Sequence, residues 1–405
     1  PRVGQVSNEV LRFHLNGELV EVVGADPRQM LIEFLRDAKG LTGTKRSCLQ
    51  GGCGACVVAL QEYDIATRQW KYRSINSCLK PLVACNGTSI TTVEGVGTER
   101  KCLHQVQKRI AENHGMQCGF CTPGMVMNTY ALLRSQGKPT AEESMQNYDG
   151  NICRCTGYRN LVQASESFAS DLSADAAGLA TRCGQHDADT CDKLSGPQYS
   201  GMDRLQQSVE YKKDDFTWHA PLSLQEVLQI KQTKPRAMYV VGDTAKGIRT
   251  AAYEVLNGRS KDVISLRHVA ELNTLEAGKS GLTFGGALTI QHISDALESY
   301  QREHPTLQWP TALAEAVRHV AQHHIRSEAG WAGNLLITIQ RGFPSDLFPA
   351  LLAADADVSF VTTSTEEKRI PLSDFKPGAV PFNALLTKLH IPNLQNSFYK
   401  YYRVG

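Results

Sequence analysis

Neither sign of charge dominates this chain. Its 43 lysines and arginines offset 41 aspartates and glutamates, for a formal net charge of +2. That balance offers no basic face to a nucleic acid or another polyanion. No apolar run approaches the roughly 18 residues that a membrane span requires. No secretory signal is legible, and the chain opens at Pro1 rather than Met, as after trimming. No internal repeat of fixed period is present. No Gly-x-Gly-x-x-Gly follows a strand pattern, so a Rossmann dinucleotide site is not supported. Twelve cysteines in 405 residues are too sparse for a disulfide scaffold. Their clustering suits metal binding in a reducing compartment, so a cytoplasmic setting is expected, or a peroxisomal one.

Eight of those cysteines fall into two sets of four within the first 155 residues. Cys48, Cys53 and Cys56, with Cys78 further on, have the plant-type ferredoxin spacing for a 2Fe–2S cluster. Cys118-x2-Cys121 and Cys153-x-Cys155 supply a second set of four thiolates. Gly51, Gly52 and Gly54 interleave with the first set. Glycine allows backbone N–H groups to approach the cluster sulfurs closely. Tetrahedral zinc is the alternative, but zinc ribbons pair two Cys-x2-Cys knuckles and neither set does. Two clusters in tandem would move electrons one at a time. Cys85 and Cys102 are read as buried thiols, and Cys183 and Cys191 as linker thiols.

At 405 residues, two or three domains are expected, and 41% hydrophobic content allows packed cores. Leu11, Phe13 and Leu15 alternate with polar residues, Asn16-Gly17 makes a turn, and Leu19 to Val23 returns, which predicts a hairpin. Asp26 and Pro27 predict the start of a helix carrying Leu31, Phe34 and Leu35. Strands are expected at Val57–Leu60 and Ile90–Val93. Helical patterns follow: Thr122-Pro123 into Met125–Leu133, a capping box at Thr140-x-x-Glu143, and Asn160–Leu172. Residues 173–214 show no sustained period and predict a linker. Strand and helix signals then alternate to the end. The expected division is 1–95, 96–172, the linker 173–214, and 215–405.

In the last part, Val240-Val241-Gly242-Asp243-Thr244-Ala245-Lys246-Gly247 is an apolar strand entering a Gly-bounded turn. Such a turn presents successive N–H groups to a phosphate. Gly330-Trp331-Ala332-Gly333-Asn334 and Phe343-Pro344-Ser345-Asp346 suit a dinucleotide and its flavin edge; two ordinary turns are the plain alternative. His319-x3-His323 has helical i, i+4 spacing, but lacks a carboxylate partner for a metal.

Four segments now carry a resemblance: Gly43-Thr44-Lys45, Gly51 to Cys56, Gln117 to Met125, and Asn151 to Tyr158. Together they resemble the xanthine dehydrogenase/aldehyde oxidase family of molybdo-flavoenzymes, from about Leu11 to the last residue. The resemblance implies an α+β multidomain fold. Its parts would be a β-grasp ferredoxin-like 2Fe–2S domain, an all-α four-helix 2Fe–2S domain, and an FAD domain of the vanillyl-alcohol-oxidase type. It implies that Val240 to Gly247, with Gly330, Gly333 and Asn334, hold the FAD pyrophosphate side. Asp346 and Leu386 would sit near the flavin and Lys400 at its far edge. Gln117 and Cys155 match positions that touch the pterin of a molybdenum domain.

That molybdenum portion, larger than this whole chain, would follow in the same polypeptide or lie in a partner subunit, so no catalytic residue is assigned here. The resemblance implies a small-molecule substrate, O2 or NAD+ as acceptor, and a homodimer of the full enzyme. Ser47, Leu49 and Gln50 replace the Gly, Gly and Glu common around the first cluster cysteine. Asp243 replaces the usual Asn, and Ala332 the first Gly of a Gly-Gly-Asn loop. Val320 stands where xanthine dehydrogenases stack an aromatic ring on the flavin, with His319, His323 or His324 as substitutes. Phe343 to Phe348 looks closer to the aldehyde-oxidase branch. The expected function is electron transfer from a molybdopterin centre to FAD and then O2, oxidising an aldehyde or N-heterocycle. The alternatives are an NAD+-using xanthine dehydrogenase, or a non-catalytic relic of the same fold.

Overall fold

A computed structural model describes residues 10–98, 103–171, 207–247, 261–394 and 399–400. Cys102, Cys183, Cys191 and the expected linker as far as residue 206 lie outside these. The described residues divide into two compact units, 10–63 with 70–171, and 64–69 with 207 onward.

In the first unit, β1 (Leu11–Leu15) and β2 (Glu18–Val22) pair antiparallel, Phe13 opposite Val20. Asn16 (φ 50°) and Gly17 (φ 100°) make the turn, with both φ positive as the twist of a tight hairpin requires. Leu11, Phe13 and Leu15 are buried on one face. β3 (Val57–Asp64), β4 (Gln69–Asn76) and β5 (Ser89–Thr91) complete a sheet of order β2-β1-β5-β3-β4. β5 runs parallel to β1, the β-grasp arrangement expected. The helix begins later than Asp26-Pro27 predicts: α1 is Leu31–Glu33, continued by a wider turn at Phe34–Ala38. The Asp26 carboxylate instead accepts from Arg28 N–H (2.9 Å). Met30 bridges Pro81, and Leu31 N–H donates to Lys80 O, so this stretch is held extended.

The expected strand Ile90–Val93 stops at Thr91, and α2 (Val93–Val96) starts there. Four longer helices follow: α3 (Gln105–Glu112), α4 (Thr122–Gln136), α5 (Ala141–Gln146) and α6 (Arg159–Glu166). α4 has Pro123 in its first turn and ends at Gly137 (φ 74°). It is buried nearly all round, from Gly124 to Ala131, as the central helix of its group. Thr140 and Glu143 close the expected capping box on α5 (Thr140 N–H to Glu143 Oε2, 2.7 Å). Val57 and Ala59 of β3 join the core of these helices.

The second unit holds two sheets. β6 (Val209–Lys213), inside the stretch expected as linker, pairs with β7 (Phe216–Ala220) across a turn with Asp214 at φ 53°. With β8 (Met238–Val240) and β9 (Asp262–Ser265) they form the order β6-β7-β9-β8, packed on α7 (Leu224–Thr233). The other sheet is antiparallel, with β10 (Leu275–Gly278), β11 (Gly281–Gly285), β12 (Asp357–Val361), β13 (Lys368–Pro371) and β14 (Leu385–Pro392) in the order β10-β11-β14-β12-β13. Helices α8 (Ile290–Glu303), α9 (Trp309–Arg318), α10 (His323–Arg326), α11 (Trp331–Arg341) and α12 (Leu347–Ala353) contribute with it to one large apolar core. No helix among the described residues is long and apolar enough to cross a membrane.

Candidate cofactor sites

The loop between α1 and β3 carries Cys48, Cys53 and Cys56, the turn after β4 carries Cys78, and the four thiols meet in two pairs. Cys48 touches Cys53, and Cys56 touches Cys78. Arg36 pins the approach to the loop through Thr42 O (2.9 Å) and Thr44 O (2.8 Å). Leu49 sits at φ 57°, a left-handed conformation costing a bulky residue about 1–2 kcal/mol. The next residue gains from it, since Gln50 N–H donates to Cys48 Sγ (3.4 Å). Burial alone would push the Cys48 thiol up, but hydrogen bonds from Gln50, Cys53 and Gly52 bring it below its usual value. The hydrogen bond with Cys78, then burial, holds the Cys56 thiol well above its own. Cys56 and Cys78 are buried, while Cys48 and Cys53 are half-buried.

The second set pairs the same way, Cys118 with Cys155 and Cys121 with Cys153. Burial, then the Cys153 contact, pushes Cys121 up to about 12. Burial also opposes ionisation of Cys153, but the Thr156 hydroxyl (3.1 Å) and neighbouring N–H groups outweigh it. Cys153 N–H donates to Tyr158 Oη (3.0 Å). Gln117, Cys118 and Cys155 are exposed.

Two pairs of thiols suit a binuclear cluster, in which each iron takes two thiolates. They suit a single tetrahedral zinc less well. The donor chemistry and pairing therefore fit 2Fe–2S groups in both places.

The two sets are joined directly. Ile152, beside Cys153, donates its N–H to the Cys53 carbonyl (3.0 Å). Asn151 Nδ2 donates to Gly54 O (3.2 Å), and Asn128 Nδ2 donates to Asn151 Oδ1 (2.7 Å) and to Asn147 O. This buried amide network has no local spacing in the sequence to mark it. A fully buried Asn inside the apolar run of α4 was its signal.

In the second unit, β8 runs into the Thr244–Gly247 turn as expected. Asp243 takes φ 55° there and pairs with Lys246 (2.5 Å). The second expected segment lies against this loop, since a side chain on Gly330 would meet Val241 at 2.8 Å. Asn334 accepts from the Ser345 hydroxyl, which brings Asp346 beside it at the start of α12. Leu386 is buried in the main core, and Lys400 is exposed. Val320 is also core, His319 is exposed with its ring on Glu315 O (2.8 Å), and His324 is wholly buried. Burial, then the nearby charges of His323 and Arg326, lowers the His324 pKa to about 3. Cys85 is buried, as expected.

Three family models match in chain order. They are a 2Fe-2S iron-sulfur cluster binding domain over residues 13–82, a 2Fe-2S binding domain over 92–166, and an FAD binding domain in molybdopterin dehydrogenase over 214–394. The chain is 34% identical to aldehyde oxidase 2 of Cavia porcellus, over 96% of this chain and 32% of that one. It is 33% identical to xanthine dehydrogenase of Drosophila pseudoobscura pseudoobscura, over 87% and 28%. It thus spans about a third of the length of the curated relatives it matches. Among solved structures, quinoline 2-oxidoreductase from Pseudomonas putida 86 is 34% identical over 44% of this chain and 98% of that one, with a TM-score of 0.33. With two 2Fe–2S domains and an FAD domain in this order, and relatives above 30% identity along nearly its whole length, the chain belongs to the aldehyde oxidase/xanthine dehydrogenase family of molybdo-flavoenzymes.

Proposed function

We propose that this chain is the electron-exit portion of a molybdenum hydroxylase that oxidises aldehydes or N-heterocycles and uses O2 as final acceptor. When bound, the clusters and flavin would relay electrons from a molybdopterin centre to that acceptor. Cys118, Cys121, Cys153 and Cys155 would hold the cluster nearer the pterin, and Cys48, Cys53, Cys56 and Cys78 the other. One observation carries the reading. The outer face of the second thiol set is exposed at Gln117, Cys118 and Cys155, and Met116, Phe120, Ile152 and Tyr158 surround it as exposed apolar side chains. A surface patch of this kind marks a docking site, and a molybdopterin-binding domain or subunit is the partner proposed for it. The Cys53–Ile152 hydrogen bond then gives a short route between the thiol sets.

The acceptor follows from the flavin side. NAD+ must stack on the flavin in a shaped pocket, whereas O2 needs only access to the reduced ring. Val320 is buried in the core instead of offering an aromatic ring, which favours O2. The test is to reduce the flavin anaerobically, then add O2 or NAD+ separately and follow reoxidation. Fast reoxidation by O2 alone is expected. Rapid, saturable reoxidation by NAD+ would favour a xanthine dehydrogenase instead.

A further inference from the structure

We propose that a buried ion pair, Arg267 with Glu328, holds the two dinucleotide loops in register and thereby sets the affinity and orientation of the flavin. The proposal rests on reading Val240–Gly247 and Gly330–Asn334 as the FAD segments. Arg267 lies just beyond the end of β9, where Leu266 N–H donates to Val240 O (2.8 Å). It therefore stands where the first loop leaves β8. Its Nη1 donates to Glu328 Oε2 (3.1 Å) and its Nη2 to Glu328 Oε1 (2.7 Å), a parallel fork. The two side chains are only 7% and 6% exposed.

Glu328 lies two residues before the second loop, in a stretch whose backbone is fixed on both sides. Glu328 N–H donates to Ile325 O (3.0 Å), and Ile290 N–H donates to Ala329 O (2.9 Å). Gly330 bridges Thr289. The Glu328 carbonyl abuts Gly242 so closely that any side chain there would collide with it. One residue thus grips Arg267 with its side chain and supports the turn at Gly242-Asp243 with its backbone.

Stability alone does not call for charges here. Desolvating two ions is costly, and apolar residues of similar volume often serve as well or better. A bidentate fork adds direction, because it fixes both distance and angle between the loops, whereas an apolar contact can slide. Both terminal nitrogens of Arg267 bond Glu328, so Arg267 acts through that residue, as a positioning group.

The test uses the full chain, stripped of flavin and titrated with FAD, with visible circular dichroism of the bound flavin recorded alongside. The double variant Arg267→Met/Glu328→Leu should unfold within about 3 °C of the native protein. It should nonetheless bind FAD more weakly by about tenfold or more, with an altered flavin dichroism. Native affinity and dichroism in that variant would overturn the proposal. If it fails to fold, Arg267→Lys keeps the charge but loses the fork, and should still weaken FAD binding; unchanged affinity would overturn the proposal equally. No FAD binding by the native chain would overturn the loop reading and this proposal together. Native binding with indifferent variants would overturn this proposal alone.

Discussion

Replacing Gly124 with alanine tests how tightly the two cluster-bearing parts interlock. A Cβ at Gly124 would lie under 3.0 Å from the Gly54 carbonyl oxygen, where ordinary contact is 3.4–4 Å. Gly54 is itself confined, with φ +69° and the Gly150 carbonyl against it. Its oxygen also accepts from Asn151 Nδ2 (3.2 Å) and Val57 N–H (3.3 Å). The oxygen cannot retreat without moving the Cys53–Cys56 loop by about 1 Å. Overpacking of this kind costs about 1–3 kcal/mol. With a slope of roughly 2 kcal/mol/M in urea, a loss of about 2 kcal/mol lowers the unfolding midpoint by about 1 M. Because the loop carries first-set thiols and the Asn151 contact leads to Cys153, EPR features of both clusters should change. Gly278→Ala is the control, since nothing lies within 4 Å of a Cβ there and the position belongs to the unit without the cluster thiols. An unchanged midpoint and unchanged EPR spectrum in Gly124→Ala would refute the reasoning.

His324 is buried, and neither ring nitrogen has a hydrogen-bond partner among the described residues. Its pKa falls from 6.5 to about 3 on folding. The unfolded chain therefore binds the proton first, so stability is full above about pH 6.5 and falls as the pH drops from there toward about 3, by up to ~1.4 kcal/mol per pH unit. His324→Leu should flatten this loss, read as urea midpoints at pH 7.5 and 5.5; equal slopes in both proteins would contradict the assignment. Tyr158→Phe removes the acceptor of the Cys153 N–H. It should perturb the EPR signal of the second cluster alone, and an effect confined to the first would show that the sets are misassigned.

The thiols were legible because cluster chemistry demands several cysteines at short spacing, and spacing is what a sequence displays. Their pairing was not, since Cys56 meets Cys78 and Cys118 meets Cys155 only once the chain has folded back. β1 and β2 were legible from strict alternation and an Asn-Gly turn. β4 was not, because Gln69–Asn76 mixes polar and apolar residues on both faces. The start of α1 is not legible from its local cap signal, Asp26 and Pro27, because long-range pairing with residues 80–82 holds the chain extended past them. The two flavin segments were visible as Gly-bounded turns. Their contact, and the charges behind it at Arg267 and Glu328, join positions 61 residues apart that share no local pattern.

The central claim is that each thiol set holds its own 2Fe–2S cluster. Low-temperature EPR of the chemically reduced holoprotein, with metal analysis on the same sample, tests it most directly. Differences in exposure and hydrogen bonding between the sets predict two distinct signals. Cys53→Ala should delete one signal and leave the other. A single signal with iron for one cluster only, or zinc in place of iron, would contradict the account.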